Sequence, residues 1–490
     1  MRAPRKKSGR RATPATLSAR LLGHVTLQAH AGGAIAACFD DVALGLGTFS
    51  AKAAERAQGL RTGLALRSFA SGSRDIDKEI LLLVRRLAGR GLIEYHLGRP
   101  RGEDLVVIEP QVPDYWPRLP QLGNADTLVL SRFAYMRRRA DEMVLESPRA
   151  GALFRISDPT IAAILALLAT PQRIKQFRRQ NDFLELELLA LLVDCQILFK
   201  IDADGNGLRP DEGDHALVLW DFHDLLFHAR STEGRHANPL GGAYPYADVI
   251  APLPAVRPSW PGTKIDLREI PLTPAEALSP AAKLLRERHS TRDFDGQRPI
   301  TLAELARFLD SAARVQSEVK APLDHGGGSG GSELTYTMRP YPSGGASYEL
   351  ELYLAVDTCE GLSRGFYHYD AGAHALVPIE IRGNQLDALL KSAQFAMGVN
   401  AAPQILITIA ARFGRASWKY SSIAYALILK DVGALMQTLY VMATDMDLGG
   451  CAIGTTNIEL FAKMTGLQFH VEGPVGQFAL GRGAKPEVQS

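Results

Sequence analysis

The sequence predicts a chain of mixed helix and strand. An α/β or α+β domain runs from about Ala275, and winged-helix-like units stand ahead of it. Two observations carry this prediction. After Ala275, helical stretches such as TLAELARFLDSAARV and YSSIAYALILKDVGALMQTLYVMATDM alternate with apolar runs, YELELYLAV, QILITIAA and GQFALGRG. Such alternation gives a sheet covered by helices. Before Ala275, a helical run meets a glycine stop and then an alternating strand, the outline of a winged helix.

The elements follow in order. Arg2, Arg5, Lys6, Lys7, Arg10 and Arg11 crowd the start, so residues 1–20 are expected to be a disordered basic tail. No apolar run follows closely, and a secretory signal is not expected. Residues 21–115 form the first module. In it, DIDKEILLLVRRLAGRGLIEYHLG places a helix over Ile76–Leu87, a stop at Gly89–Gly91 and a strand over Leu92–Leu97. Residues 116–210 repeat that plan, with helices in DPTIAAILALLAT and NDFLELELLALLVDCQ and a strand in ILFKIDADG. Residues 211–274 are a lead-in and linker. Their PLGGAYPYADVIAPLPAVRPSWPG is rich in proline and has no period, so it reads as an irregular crossing. Residues 275–490 form the last domain. Inside it, HGGGSGGS lacks the strand before and helix after that a phosphate cradle needs, and reads as a flexible loop.

Composition narrows the function. The formal net charge of +2 argues against a polyanion binder held by bulk charge. The best membrane candidate, FLELELLALLVDC, is interrupted by Glu185, Glu187 and Asp194, so no membrane partner is expected. Cys38, Cys195, Cys359 and Cys451 lie far apart and form no CxxC pair. That disfavours a disulfide scaffold and a cysteine zinc site, and a reducing cytoplasm fits. His223, His228 and His236 have no carboxylate completing a ligand set, so no metal is expected.

Four stretches can carry chemistry. In RERHSTRDFDG, Arg288, Ser290 and Arg292 alternate; in extended chain they point to one side and can converge on an anion. In RPYPSGGASYELELYL, Pro342, Ser343, Gly344 and Gly345 make a small-residue turn whose backbone can approach a flat ligand. In MDLGGCAIGTTN, a long helix is expected to end on Gly449 and Gly450, and small residues continue through Ala452, Ile453 and Gly454. In FALGRG, Arg482 ends a strand as a further cation. Each also has a plain structural explanation; their order and combination are what count.

Lys419 and Tyr420, in GRASWKYSSIAYALILKD, form a fifth feature. Adjacent residues do not share a helix face. They can point together only at a helix entrance, on the rim of the core. A tyrosine is a poor base near neutral pH, its ordinary pKa being about 10, and a nearby ammonium favours the phenolate.

These motifs together resemble the nitroreductase-type flavoproteins, and among them the SagB-type azoline dehydrogenases of thiazole/oxazole-modified peptide pathways. The resemblance rests on RHSTRDF, YPSGGASYELELYL, WKYSSIAYALILKDVGALMQTLYVMATDMDLGGCAIG and ALGRG, and covers a little under half the chain. It implies an α+β flavin domain binding FMN. Arg288, Ser290, Arg292 and Arg482 are implied at the phosphate and ribityl chain, and Ala452, Ile453 and Gly454 near the ring. The turn Pro342–Gly345 matches a segment that reaches the flavin from the partner subunit, which implies a homodimer. Lys419 and Tyr420 match the family's catalytic pair. The implied reaction removes a proton from the azoline Cα while FMN accepts hydride, giving an aromatic azole. A precursor peptide bearing azolines is the implied substrate and a cyclodehydratase an implied partner. An exposed strand edge such as Leu92–Leu97 is expected to dock a leader peptide by strand addition.

Two other readings compete. A generic NAD(P)H-dependent nitro or quinone reductase shares the FMN site but needs neither Lys419 nor Tyr420. A DNA-binding flavin sensor would use Arg85, Arg86 and Arg90, or Arg173, Lys175, Arg178 and Arg179, on phosphates. Nucleic acid is the less favoured partner.

Overall fold

The computed structural model describes residues 15–484 apart from 100–103, 114, 181–184, 202–213, 237–240, 243, 245, 272, 274–278 and 323–332. The HGGGSGGS loop and the tail to residue 14 lie outside the described residues. The chain divides into two units, 1–230 with 234–237, and 231–233 with 238–490.

The first unit is built on a seven-stranded antiparallel sheet. Its order is Leu64–Ala65, Thr16–Leu21, Ile93–Gly98, Asp104–Pro110, Ala152–Ile156, Glu142–Glu146 and Tyr135–Arg139. Thr16–Leu21 corrects the expectation of a tail to residue 20. Its alternation turns Leu17, Ala19 and Leu21 to one buried face. Arg20 on the other face does not prevent pairing, because only one face is buried.

The strand Ile93–Gly98 is also corrected. It is paired on both sides, with Thr16–Leu21 and with Asp104–Pro110, so it is not an open edge. Strands from residues 116–210 join the sheet founded by residues 21–115, and one apolar core runs from Ala15 to Leu198. The helix Asp75–Ala88 lies on that core through Ile80, Leu83, Val84 and Leu87. Its basic residues are engaged inside the unit. Arg85 stacks 4.6 Å over the Trp116 ring, and Arg86 donates to the Leu46 carbonyl.

The second unit carries a six-stranded antiparallel sheet, ordered Ala375–Ile379, Gly365–Asp370, Leu350–Val356, Ile405–Arg412, Glu472–Gly481 and Gly449–Ile453. Ile405–Ala411 is buried without a break, as expected of a strand covered on both faces. An antiparallel sheet with helices makes the domain α+β. Leu302–Ala313 begins with a full capping box, Thr301 accepting from the Glu304 N–H and Glu304 from Thr301.

The long helix Ala424–Asp445 packs against Leu302–Ala313, Gly449–Ile453 and Glu472–Gly481. Among the described residues it is the one helix long and apolar enough to cross a membrane; here it lies in the unit and carries the buried Asp431. It ends at Asp445, four residues before the expected glycine cap, and Asp447 makes the left-handed step at φ 53°. Gly449 and Gly450 instead open the edge strand. A β-carbon on Gly449 would come 2.6 Å from Thr291 Cγ2, and one on Gly450 would strike the Phe478 ring. These glycines serve close packing, not helix termination.

Candidate active site

The predicted residues fall into two groups, both built on the long helix.

The first group centres on Tyr440. The segment after the helix Pro280–Glu287 runs extended along the edge strand, with the Thr291 N–H on the Gly450 carbonyl at 2.8 Å. Phe294 bridges Gly483, and the Asp295 N–H reaches the Arg482 carbonyl at 2.9 Å. The alternation expected of Arg288, Ser290 and Arg292 is therefore held by backbone bonds. The Arg288 guanidinium stacks 4.9 Å over the Tyr440 ring. Ser290 Oγ lies 2.8 Å from the Tyr440 hydroxyl, which also accepts the Ala452 N–H at 2.8 Å. One phenol thus ties RHSTRDF to the AIG segment.

Burial raises the Cys451 thiol, and the Arg292 charge opposes that shift, which sets Arg292 near this strand. Among the described residues, neither Arg288 nor Arg292 is ion-paired with a carboxylate. Ile453 is buried, while Gly454 is exposed with open space beside it.

Arg482 is differently placed. Its Nη2 donates to both Glu304 oxygens, at 2.7 and 2.8 Å. Its backbone is fixed by Gln404, a buried side chain that accepts from the Ile300 and Arg482 N–H groups and donates to the Asp295 and Arg298 carbonyls. Gln404 and Tyr440 are organising residues that sequence reading missed. A polar residue at the head of an apolar strand, and a tyrosine in a core helix, were their only signals.

The second group centres on Gly345. Lys419 and Tyr420 lie between the short helix Phe413–Ser417 and the long helix, outside both, as the helix-entrance argument requires. Their N–H groups both return to the Ala416 carbonyl, and Ser422 takes φ 63°. Lys419 Nζ donates to the Gly345 carbonyl at 3.0 Å and stands 5.8 Å from the Tyr336 ring. Gly345 has φ 61°; a β-carbon there would meet the Tyr420 hydroxyl and stand 2.7 Å from Lys419 Nζ. The position demands glycine, and the amine and phenol converge on it.

The turn is anchored from below. The Gly344 N–H and Ser343 Oγ both donate to Asp431 Oδ2, at 2.8 and 2.9 Å. Pro342 is exposed at the turn's entrance. Glu349 lies beside this anchor, 1% exposed, and burial with the Asp431 charge pushes its carboxyl up to about 7.

The donor set fits a flavin nucleotide. Two guanidiniums without carboxylate partners suit a phosphate, and open backbone at Gly454 suits a flat ring. Among the described residues, no hydrogen bond joins Arg288, Ser290 or Arg292 to Lys419 or Tyr420. Their anchor, Asp431, precedes Tyr440 by nine helical residues, or about 13 Å of helix axis.

His223 and His228 lie beside aromatic rings. His228 is fully buried and stacked 5.9 Å from Trp220, and His223 sits edge-on to Phe222 at 5.2 Å.

Residues 128–237 match the family model of the cyanobactin oxidase ThcOx, and residues 285–482 match the nitroreductase family model. MJ1384 of Methanocaldococcus jannaschii, named as a nitroreductase, is 31% identical over 192 residues, 39% of this chain and 85% of that protein. Among solved structures, a nitroreductase-type protein of Anabaena variabilis is 23% identical, with a TM-score of 0.30. That match covers 36% of this chain and 34% of the Anabaena one, about a third of its length. A chain of the E. coli microcin synthetase McbBCD complex, solved with truncated pro-MccB17 bound, is 19% identical, with a TM-score of 0.39. It covers 55% of this chain and 97% of that one. With one relative matched along most of its own length and the family model lying over the six-stranded sheet, the chain belongs to the nitroreductase family of flavin oxidoreductases.

Proposed function

We propose that the protein is an FMN-dependent dehydrogenase that oxidises thiazoline or oxazoline rings of a ribosomally made peptide to aromatic azoles. The observation that carries this reading is the convergence of Lys419 and Tyr420 on Gly345. A generic reductase has no task for that pair. The match of residues 128–237 to a cyanobactin oxidase model supports a modified-peptide substrate.

In this reading Arg288 and Arg292 hold the phosphate, and Ser290 orients beside it through Tyr440. Arg482 adds charge from the neighbouring strand end. The backbone of Ala452, Ile453 and Gly454 lines the ring. Bound FMN supplies the redox chemistry, accepting hydride and passing electrons to dioxygen. Tyr420 takes the proton from the azoline Cα onto its phenolate oxygen. Lys419 stands beside that oxygen while holding the Gly345 carbonyl.

In this reading the protein is a homodimer in which one copy's grip meets the other's Pro342–Gly345 turn, Lys419 and Tyr420. A cyclodehydratase that makes the azolines is the expected upstream partner. Four free cysteines support a reducing cytoplasm as the compartment.

The test is purification with FMN, an absorption spectrum and the mass of the released cofactor, followed by turnover of an azoline peptide. The expected result is yellow protein, FMN by mass, and loss of two hydrogens per ring in the product. Protein that stays colourless with FMN overturns the cofactor. NADPH-driven nitro reduction without azoline oxidation selects the generic reductase.

A further inference from the structure

The mechanism above leaves one pair of buried acids unused. Glu349 immediately precedes the strand Leu350–Val356 and is 1% exposed; Asp431 on the long helix is 7% exposed. Asp431 Oδ2 accepts both the Gly344 N–H and Ser343 Oγ. Ser343 has a single proton to give, so its longer 3.4 Å approach to Glu349 Oε2 is not a second donation. Glu349 Oε1 is buried with no hydrogen-bond partner. An ionised carboxylate so placed is costly, whereas a protonated one can donate to the carboxylate beside it.

Of the other charged and titratable groups around Glu349, Arg415 and Tyr341 feel its charge but make no hydrogen bond to it. Arg415, on Phe413–Ser417, donates to the Ser347 carbonyl, and Arg339 to the Leu350 carbonyl. Tyr341 is buried and neutral, its hydroxyl pushed upward by burial.

We propose that Glu349 and Asp431 share one proton and with it hold the Ser343–Gly345 turn against Lys419 and Tyr420, as positioning residues for the reaction. Losing that proton puts two anions under the turn, and the carbonyl that Lys419 grips loses its fixed place. The effect on turnover rests on the azoline dehydrogenase reading; the effect on the fold does not.

The sign follows from the shift. Burial, reinforced by Asp431, raises the native carboxyl from 4.5 to about 7. Stability from the protonated form is fully present below the unfolded value and is lost as pH rises through about 7.

The experiment is thermal unfolding of the flavin-loaded protein across pH 4.5–8.5, wild type against Glu349→Gln, with azoline turnover measured over the same range. Glutamine keeps a donor toward Asp431 and cannot ionise. The expected result is a melting temperature of the variant relative to wild type that climbs with pH and levels off above 7. Turnover in wild type should then carry an alkaline fall near 7 that glutamine removes. A melting-temperature difference that stays flat with pH overturns the proposal, whatever the activity. A climbing difference with no azoline oxidation overturns the function and leaves the pair standing. Asp431→Asn is the second variant: without the neighbouring anion, the Glu349 titration and its stability slope should move to lower pH. An unmoved slope in Asp431→Asn also overturns the sharing.

Discussion

The two ends of the long helix organise their surroundings in opposite ways. At Tyr440 a phenol collects a hydroxyl, a backbone N–H and a stacked guanidinium, beside two arginines that among the described residues have no carboxylate partner. At Asp431 a buried acid collects a turn whose outer side meets an amine and a phenol. The first arrangement keeps positive charge available for an anion. The second keeps buried acids below the turn and an amine and a phenol above it. In the proposed function, one helix then presents a binding end and a reacting end. Breaking each separately should give different phenotypes.

The largest expected effect is at the reacting end. Tyr420→Phe removes the base and leaves the shape, so turnover should fall by about 10²- to 10⁴-fold. Flavin content should be unchanged, since the grip sits on the far group. Single-turnover bleaching of the flavin by an azoline peptide is the measurement. Parallel loss of flavin and turnover would merge the two ends and undo the division.

At the binding end, Arg292→Ala and Arg288→Ala each remove a charge-assisted contact worth roughly 1.5–3 kcal/mol, or about 10- to 100-fold in flavin affinity. Turnover at saturating FMN should largely return, which Tyr420→Phe cannot do. Titration of the apoprotein, followed by fluorescence quenching, reads this directly. Arg288 also covers the Tyr440 ring, so its loss should lower stability more than that of exposed Arg292.

A packing test sharpens the frame beneath the binding end. Gly450→Ala drives a methyl into Phe478, in the fully buried strand beside it. Overpacking of this kind costs about 1–3 kcal/mol, measurable as an earlier urea midpoint with unchanged slope. A true helix cap would have given an αL penalty instead, and Gly450 is not among the positive-φ glycines.

Much of this site was legible in the sequence for a physical reason. Arg288, Ser290 and Arg292 alternate, and extended chain turns alternation into a shared direction. Lys419 and Tyr420 are adjacent, which forces at least one outside a helix, and the structure puts both there. The glycines at 449 and 450 misled because a C-cap and a close strand contact both want a residue without a side chain; only the facing Thr291 and Phe478 decide between them. The strand at 93–98 misled similarly. An alternating pattern fixes which face is buried but not how many neighbours pair with it, and those came from the distant strand Thr16–Leu21 and from the next hairpin. Tyr440 and Gln404 were hidden because a buried polar group shows its meaning only through partners distant in sequence.

The smallest expected effect tests where Arg482 belongs. Its guanidinium rests on Glu304, whose Oε2 also accepts the Thr301 N–H and hydroxyl at 2.9 and 3.0 Å. Glu304 therefore does two jobs, closing a helix cap and neutralising a cation. Glu304→Gln keeps an acceptor for the cap and removes the neutralising charge. If Arg482 serves the phosphate, freeing it from a partly exposed ion pair worth up to about 1 kcal/mol should tighten FMN by up to about fivefold. The gain should shrink as salt rises, because the freed charge acts through solvent. If Arg482 only secures the strand end, FMN affinity stays constant and the melting temperature alone falls. The contrast with Arg292 is then informative: an arginine without an acid partner loses ligand when removed, whereas a paired one gains ligand when its acid is removed.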